Sequence, residues 1–265
     1  MRRAYLMHAK LALQQMIAYR AGFFVGLLGN LFFLLSMFYL WRVLLKNPNF
    51  ARTLGWDWGQ MKAYLLIGFV TGMLVSTFAE WTMADRIRTG DVAIDLTRPI
   101  DYQKARFSEA LGVVVFELFT GVLVGGLVVL AFGGMKSPTL SAGLLFAVSV
   151  LLVIPLKFGI IYITGLLCFW TTNYLGVSWS RQAVTNIMSG ALVPIVLFPG
   201  WLQTVAGILP FQAIVWTPGQ IYLGRLHGAG ALEALAVQAA WGLGLWMVAR
   251  LAWRGAVRKL VIQGG

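Results

Sequence analysis

Apolar runs of roughly 20 residues recur along this chain, the length an α-helix needs to cross ~30 Å of hydrocarbon. That pattern leaves few folds open. In lipid every backbone N–H and C=O must be satisfied within the chain, so the runs read as helices and not as open strands. Composition agrees: 59% of the 265 residues are apolar and 11% are charged, against about 25% charged in an average soluble domain. No stretch between the runs is long enough for a soluble domain, so residues 1–265 read as one all-α, polytopic membrane domain.

Six spans are expected, at about 21–41, 61–83, 107–132, 139–172, 182–198 and 229–250. The fourth run is too long for one level crossing and contains Pro155 and Lys157, so it is either one kinked helix or two short ones. Charge decides. With six spans both basic ends lie on one side; of the 21 lysines and arginines, 14 then fall inside, 6 outside, and Lys157 is buried. The positive-inside rule therefore favours one helix there and cytoplasmic termini. The net charge of +12 is explained in the same way, and a nucleic-acid partner is not expected. The first run is also too long for the apolar core of a cleavable signal peptide.

Residues 2–20 have two faces. Leu6, Ala9, Leu13, Met16 and Ile17 recur at helical spacing, with Arg3, Lys10 and Gln14 opposite. This predicts a helix lying in the membrane interface, its basic face toward anionic headgroups. Residues 200–226 are apolar but broken by Pro199-Gly200, Pro210 and Pro218-Gly219. They are expected to form two short half-helices dipping into the outer leaflet, with Thr217 capping the second and Pro218 in its first turn.

One polar stretch interrupts this pattern. Residues 85–106 follow the second span and begin Asp85-Arg86-Ile87-Arg88-Thr89-Gly90-Asp91. Lipid cannot solvate such a segment, so it must project into water. Gly90 is placed to end the incoming helix, Asp91 to cap a short new one, and Pro99 to stop it. Inside the bilayer the ionisable residues are Glu117 and Lys157, with Glu80 and Glu109 nearer the cytoplasmic ends. Glu117 and Lys157 are expected to pair, either as a structural bridge or beside a substrate path. Small-residue pairs at Gly22/Gly26, Gly68/Gly72 and Gly121/Gly125 permit close helix packing.

Catalytic signatures are missing. There is no H-E-x-x-H, G-x-S-x-G or nucleotide-binding G-x-x-x-x-G-K-[ST]. The two histidines, His8 and His227, lie at opposite ends, and Cys168 is alone. No metal site and no enzymatic activity of the chain itself are expected.

Four stretches carry a family resemblance. They are Tyr19-Arg20; Leu54-Gly55-Trp56 with Leu65-Leu66-Ile67-Gly68; Ile87-Arg88-Thr89-Gly90-Asp91 with Asp95-Leu96-Thr97-Arg98-Pro99; and Phe198-Pro199-Gly200-Trp201 with Leu209-Pro210-Phe211 and Pro218-Gly219-Gln220-Ile221-Tyr222-Leu223-Gly224. The third resembles the loop I-R-x-G-x-x-x-x-x-L-x-[RK]-P of type 2 ABC exporter permeases, in the branch that uses a separate ATPase subunit. The resemblance implies a multi-pass subunit of the cell's inner membrane. Two permeases, different chains or two copies, form the path, and ABC ATPases dock on the cytoplasmic loops. ATP and Mg would be bound by the ATPase, with no cofactor on this chain. It further implies that Arg86, Arg88 and Arg98 meet acidic groups of the ATPase while Val92, Ile94 and Leu96 fill an apolar cleft. Ile87, Thr89, Gly90, Asp91, Asp95 and Pro99 complete the coupling segment. An apolar path would suit an amphipathic drug, lipid or peptide. An ion-coupled transporter using Glu117 and Lys157 stays open, as does a membrane scaffold without transport.

Overall fold

The computed structural model describes residues 2–75, 77–135, 137–171 and 174–258. Lys136 of the expected turn and the basic tail beyond Arg258, with Lys259, lie outside the described residues, as does Thr172 at the end of the fourth run.

The described residues form twelve α-helices and no strand. Four helices are long and apolar enough to cross a membrane: α2 (Arg20–Leu44), α7 (Tyr102–Ala131), α8 (Leu140–Leu166) and α12 (Gly228–Val257). Helix α8 is continuous through Pro155 and ends in a 3-10 turn at Leu167–Phe169, so the fourth run is one helix, as charge bias required. The remaining helices are α1 (Arg2–Ala18), α3 (Pro48–Leu54), α4 (Trp58–Met73), α5 (Thr77–Thr89), α6 (Val92–Leu96), α9 (Tyr174–Met188), α10 (Gly200–Ile208) and α11 (Trp216–Tyr222).

The expected second span, 61–83, is two helices. Helix α4 opens with a capping box in which Asp57 accepts from the Gln60 amide and the Gln60 side chain accepts from the Asp57 amide. It ends at Met73, and Val75 takes φ +51° although it is β-branched and 1% exposed. The left-handed region costs such a residue about 1–2 kcal/mol, so tertiary contacts must impose it. Gly72 is next to last in α4, and neither glycine nor proline stands at Leu74 or Val75.

The expected fifth span, 182–198, lies earlier, as α9. Gly190 at φ +82° and the 3-10 turn Ile195–Leu197 after Pro194 interrupt the chain before 198. Residues 200–226 do contain two short helices, α10 and α11. Thr217 does not cap the second, because α11 already starts at Trp216 and Thr217 is buried within it.

Helix α8 is the centre of the body. It packs along α12, where Gln238 donates to the Ser149 and Ala213 carbonyls and accepts from the Ser149 hydroxyl at 2.9 Å. Each polar atom of that buried amide thus has a partner. Helix α1 lies along the first half of α7. A Cβ on Gly112 would come within 2.1 Å of the Ala9 carbonyl oxygen, so only glycine allows this approach. Ala12 and Met16 then pack on Val113 and Phe116. Of the three glycine pairs, Gly121/Gly125 receives Val70 of α4, whereas among the described residues nothing lies within 4 Å of where a Cβ on Gly22 or Gly26 would fall.

Candidate functional site

The segment between α5 and α7 is built as its residue types demand. Helix α5 stops at Thr89, and Gly90 turns the chain at φ +83°, a conformation glycine adopts without strain. Asp91 holds the cap position of α6 but its side chain caps nothing. The backbone closes the turn instead, with the Ala93 amide donating to the Gly90 carbonyl at 2.9 Å. Helix α6 ends at Leu96, before Pro99. Asp101 then caps α7 by accepting from the Lys104 amide at 3.0 Å. Helix α7 therefore starts at Tyr102, about one and a half turns before the apolar run, and carries Lys104, Arg106 and Glu109 on its first turns.

Five residues give α6 two faces. Val92 is fully buried and Asp95 is 7% exposed, whereas Ile94 is 59% exposed and Leu96 is exposed beside it. The Asp95 carboxylate accepts from Arg86 at 2.8 Å and lies 3.8 Å from Arg106, which is itself buried. Arg98 approaches the same carboxylate at 4.0 Å from the exposed side. The residues expected to meet a partner thus divide. Arg86 and Val92 point inward and hold the segment to the body. Ile87 is half-buried against the core. Arg88, Thr89, Gly90, Asp91, Ile94, Leu96, Arg98 and Pro99 remain exposed, with Arg88 paired to Asp85 one turn back at 3.1 Å.

The inward charges continue into the body. Arg106 pairs with Glu109 at 2.8 Å, and Glu109 pairs with His8 of α1 at 2.8 Å. A line of alternating charge therefore joins α6 through α7 to α1. The Arg106 guanidinium also sits over the Tyr102 ring, 5.1 Å from its centroid, and that ring stacks on Trp253 of α12 at 4.1 Å. A second buried pair ties α5 to α9: Arg181 donates to both oxygens of Glu80, at 2.6 and 3.3 Å. Sequence reasoning assigned no role to His8, Arg106 or Arg181. The 3-residue spacing of Arg106 and Glu109 was a visible signal; the Glu80–Arg181 contact, 101 residues apart, had none.

Glu117 and Lys157 act on one another electrostatically, and Arg181 adds a repulsion on Lys157. The lysine side chain also donates to the carbonyls of Thr71 and Gly72, at 3.2 and 2.5 Å.

At the other end of the body, cations and rings close the loops. Lys62 donates to the Phe132 and Gly134 carbonyls at 3.0 and 2.8 Å, past the last turn of α7. Arg225 donates to the Gly55 carbonyl and lies 5.3 Å from the Trp56 ring centroid. Partial burial holds this guanidinium below its usual range, with Asp57 opposing. The Tyr64 hydroxyl donates to the Gly190 carbonyl at 2.7 Å, and its ring lies where a Cβ on Gly219 would fall. Pro199 and Gly200 open α10, Pro210 opens a 3-10 turn, and Pro218 and Gly219 are buried in α11.

Between α2, α4 and α9 a cavity of about 120 Å³ is lined by the amides Asn30, Gln182 and Asn186 together with Phe33, Met37 and Phe69. Among the described residues no cluster of metal-ligating side chains occurs.

Comparison with known proteins bears on this arrangement directly. No curated protein and no solved structure gives a significant match. The family model for ABC-2 family transporter proteins matches residues 31–264, which include α4 to α6, the Asp95–Arg106–Glu109 and Glu80–Arg181 pairs and the cavity lining other than Asn30. A multi-pass helical membrane chain matched over that range belongs to the ABC-2 transporter family, as a permease subunit.

Proposed function

We propose that this permease is the transmembrane subunit of an ATP-driven exporter, and that a separate ATPase drives it by docking on residues 85–106. One observation carries the reading. Segment 86–98 is anchored inward by Asp95, Arg86 and Val92 while Arg88, Ile94, Leu96 and Arg98 form an outward basic and apolar face. A merely solvated loop has no need of a buried carboxylate gripped by two guanidiniums. The chain carries no nucleotide motif, so ATP and Mg belong to the partner, and energy must arrive by contact. In this reading both termini and residues 85–106 are cytoplasmic, in the inner membrane. Six crossings result when α4 with α5, and α9, are added to the four long helices. Residues 200–226 then re-enter the outer leaflet without crossing.

A second permease, a different chain or a copy, completes the path. The exposed amides of Asn30 and Gln182 support this, because an amide facing lipid is costly even where, as for Gln182 donating to Asn186 at 3.0 Å, it has one partner. Their mixture with Phe33, Met37 and Phe69 suits an amphipathic substrate. The test is co-purification with a candidate ABC ATPase subunit, followed by ATP hydrolysis and transport in proteoliposomes. Ile94→Asp should lose the complex or uncouple hydrolysis from transport. Full recovery and full coupling in that variant would overturn the docking site. Transport driven by an ion gradient without ATP would favour the ion-coupled reading instead.

A further inference from the structure

The pair α4 and α5, read above as the second crossing, is interrupted after Met73, and Lys157 of α8 sits at the interruption. Helix α4 ends at Met73, Leu74 leaves the helix with ψ 140°, and its amide still bonds to the Val70 carbonyl. The carbonyls of Thr71 and Gly72 come next in the helix end. In water they would be solvated, and in lipid they must find a donor within the protein. Lys157 of α8 donates to both. Its ammonium therefore stands where a helix C-terminus, with its partial negative charge, is best placed to hold a cation. Broken helices of other transporters offer such ends to free ions; here the cation is covalently part of the chain.

The charged groups facing Lys157 come from three other elements. Glu117 on α7 attracts it and Arg181 on α9 repels it. Arg181 is held in turn by Glu80, on the first turns of α5 beyond the break. The break is thus clamped on both sides: Lys157 holds the end of α4, and Arg181 holds the start of α5. Val75, between them, adopts a left-handed backbone that a β-branched residue does not choose by itself.

We propose that Lys157 is a positioning residue: it acts as a tethered cation that keeps the second crossing in two pieces, and so sets the direction in which α5 carries segment 86–98 out of the membrane. The geometric part stands by itself. Only its consequence for energy coupling rests on the docking function proposed above.

The test measures α5 directly, without an ATPase. Spin labels are placed on exposed positions of α5 and α7, through Trp81→Cys and Phe119→Cys in a Cys168→Ser background, with the full chain in lipid nanodiscs. Pulsed dipolar spectroscopy then reads the distance. Lys157→Met should introduce a second distance population, with the ratio of the two forms moving roughly tenfold as a charged hydrogen bond is lost. Lys157→Arg, which keeps a cation, should restore a single population. Val75→Gly should also rescue Lys157→Met, because glycine takes the left-handed backbone without strain. A single unchanged distance in Lys157→Met would overturn the inference, as would a second population that neither Lys157→Arg nor Val75→Gly removes. If Lys157→Met does not fold, the doubly substituted Lys157→Met, Val75→Gly chain decides: recovery of folded protein supports the inference, and equal failure overturns it. Shifted distances with full ATPase coupling in Ile94→Asp would sink the docking function while leaving the inference standing.

Discussion

At the end of the body that carries α6, acids and bases hold one another: Asp95 takes Arg86 and Arg106, and Glu109 takes Arg106 and His8. At the end around Trp56 and Phe132, cations reach for backbone instead. Lys62 closes the end of α7, Arg225 reaches Gly55, and rings pack edge to face between Trp56 and Tyr64 at 4.9 Å and between Phe38 and Phe132 at 5.3 Å. Both ends must join helices where the membrane meets water. A side-chain carboxylate has two oxygens and several bases within reach, so its partners can be exchanged. A carbonyl past a helix end has a fixed place, and the ring stack leaves no slack. The α6 end can therefore exchange its partners more readily than the opposite end, as the docking proposed for residues 85–106 would require.

The sharpest way to break this comparison is Asp95→Ala. It leaves Arg86 and the buried Arg106 without their shared acid, and removing one partner of a buried pair costs about 3–5 kcal/mol. We expect a lower thermal midpoint and earlier proteolysis within 86–98. An unchanged midpoint would mean the network contributes nothing.

Gly112→Ala tests how firmly α1 belongs to the same end. The new Cβ meets the Ala9 backbone, which cannot yield, so α1 must lift from α7 at a cost of about 3 kcal/mol. Faster protease cleavage in α1, with the Trp56 end intact, is the expected readout.

Lys62→Met probes the opposite end. The carbonyls of Phe132 and Gly134 lose a charged donor, worth about 1–3 kcal/mol. Here proteolysis within 86–98 should not change. If it does, the two ends are one cooperative unit and the comparison fails.

The smallest stability effect belongs to Arg88→Ala, within about 0.5 kcal/mol, because an exposed pair with Asp85 contributes little. Recovery of the ATPase complex should nevertheless fall. Normal recovery would remove Arg88 from the docking face.

Much of this was legible in the sequence wherever one signal ran unbroken. Runs 21–41, 107–132, 139–172 and 229–250 each mark a long helix, and residues 2–20 mark α1. Helix α7 starts earlier than its apolar run because charged first turns carry no hydropathy signal, although Asp101 was available as a cap. The break after Met73 was not legible, since Leu74 and Val75 continue an apolar pattern and only tertiary contacts bend the chain there. The candidate site divides likewise. Its polarity, Gly90 and the limit at Pro99 were plain. Which of its residues face inward was not, because a five-residue helix is too short to show a period and Arg106 enters from another helix.

The carbonyls that receive Lys62 belong to the backbone, so no side-chain substitution at Phe132 or Gly134 removes them. The acids that hold α6 and α1, Asp95 and Glu109, are side chains, and each is lost by a single substitution. Sequence change can therefore retune the α6 end one residue at a time, whereas the Trp56 end changes only through the cations and rings that reach it.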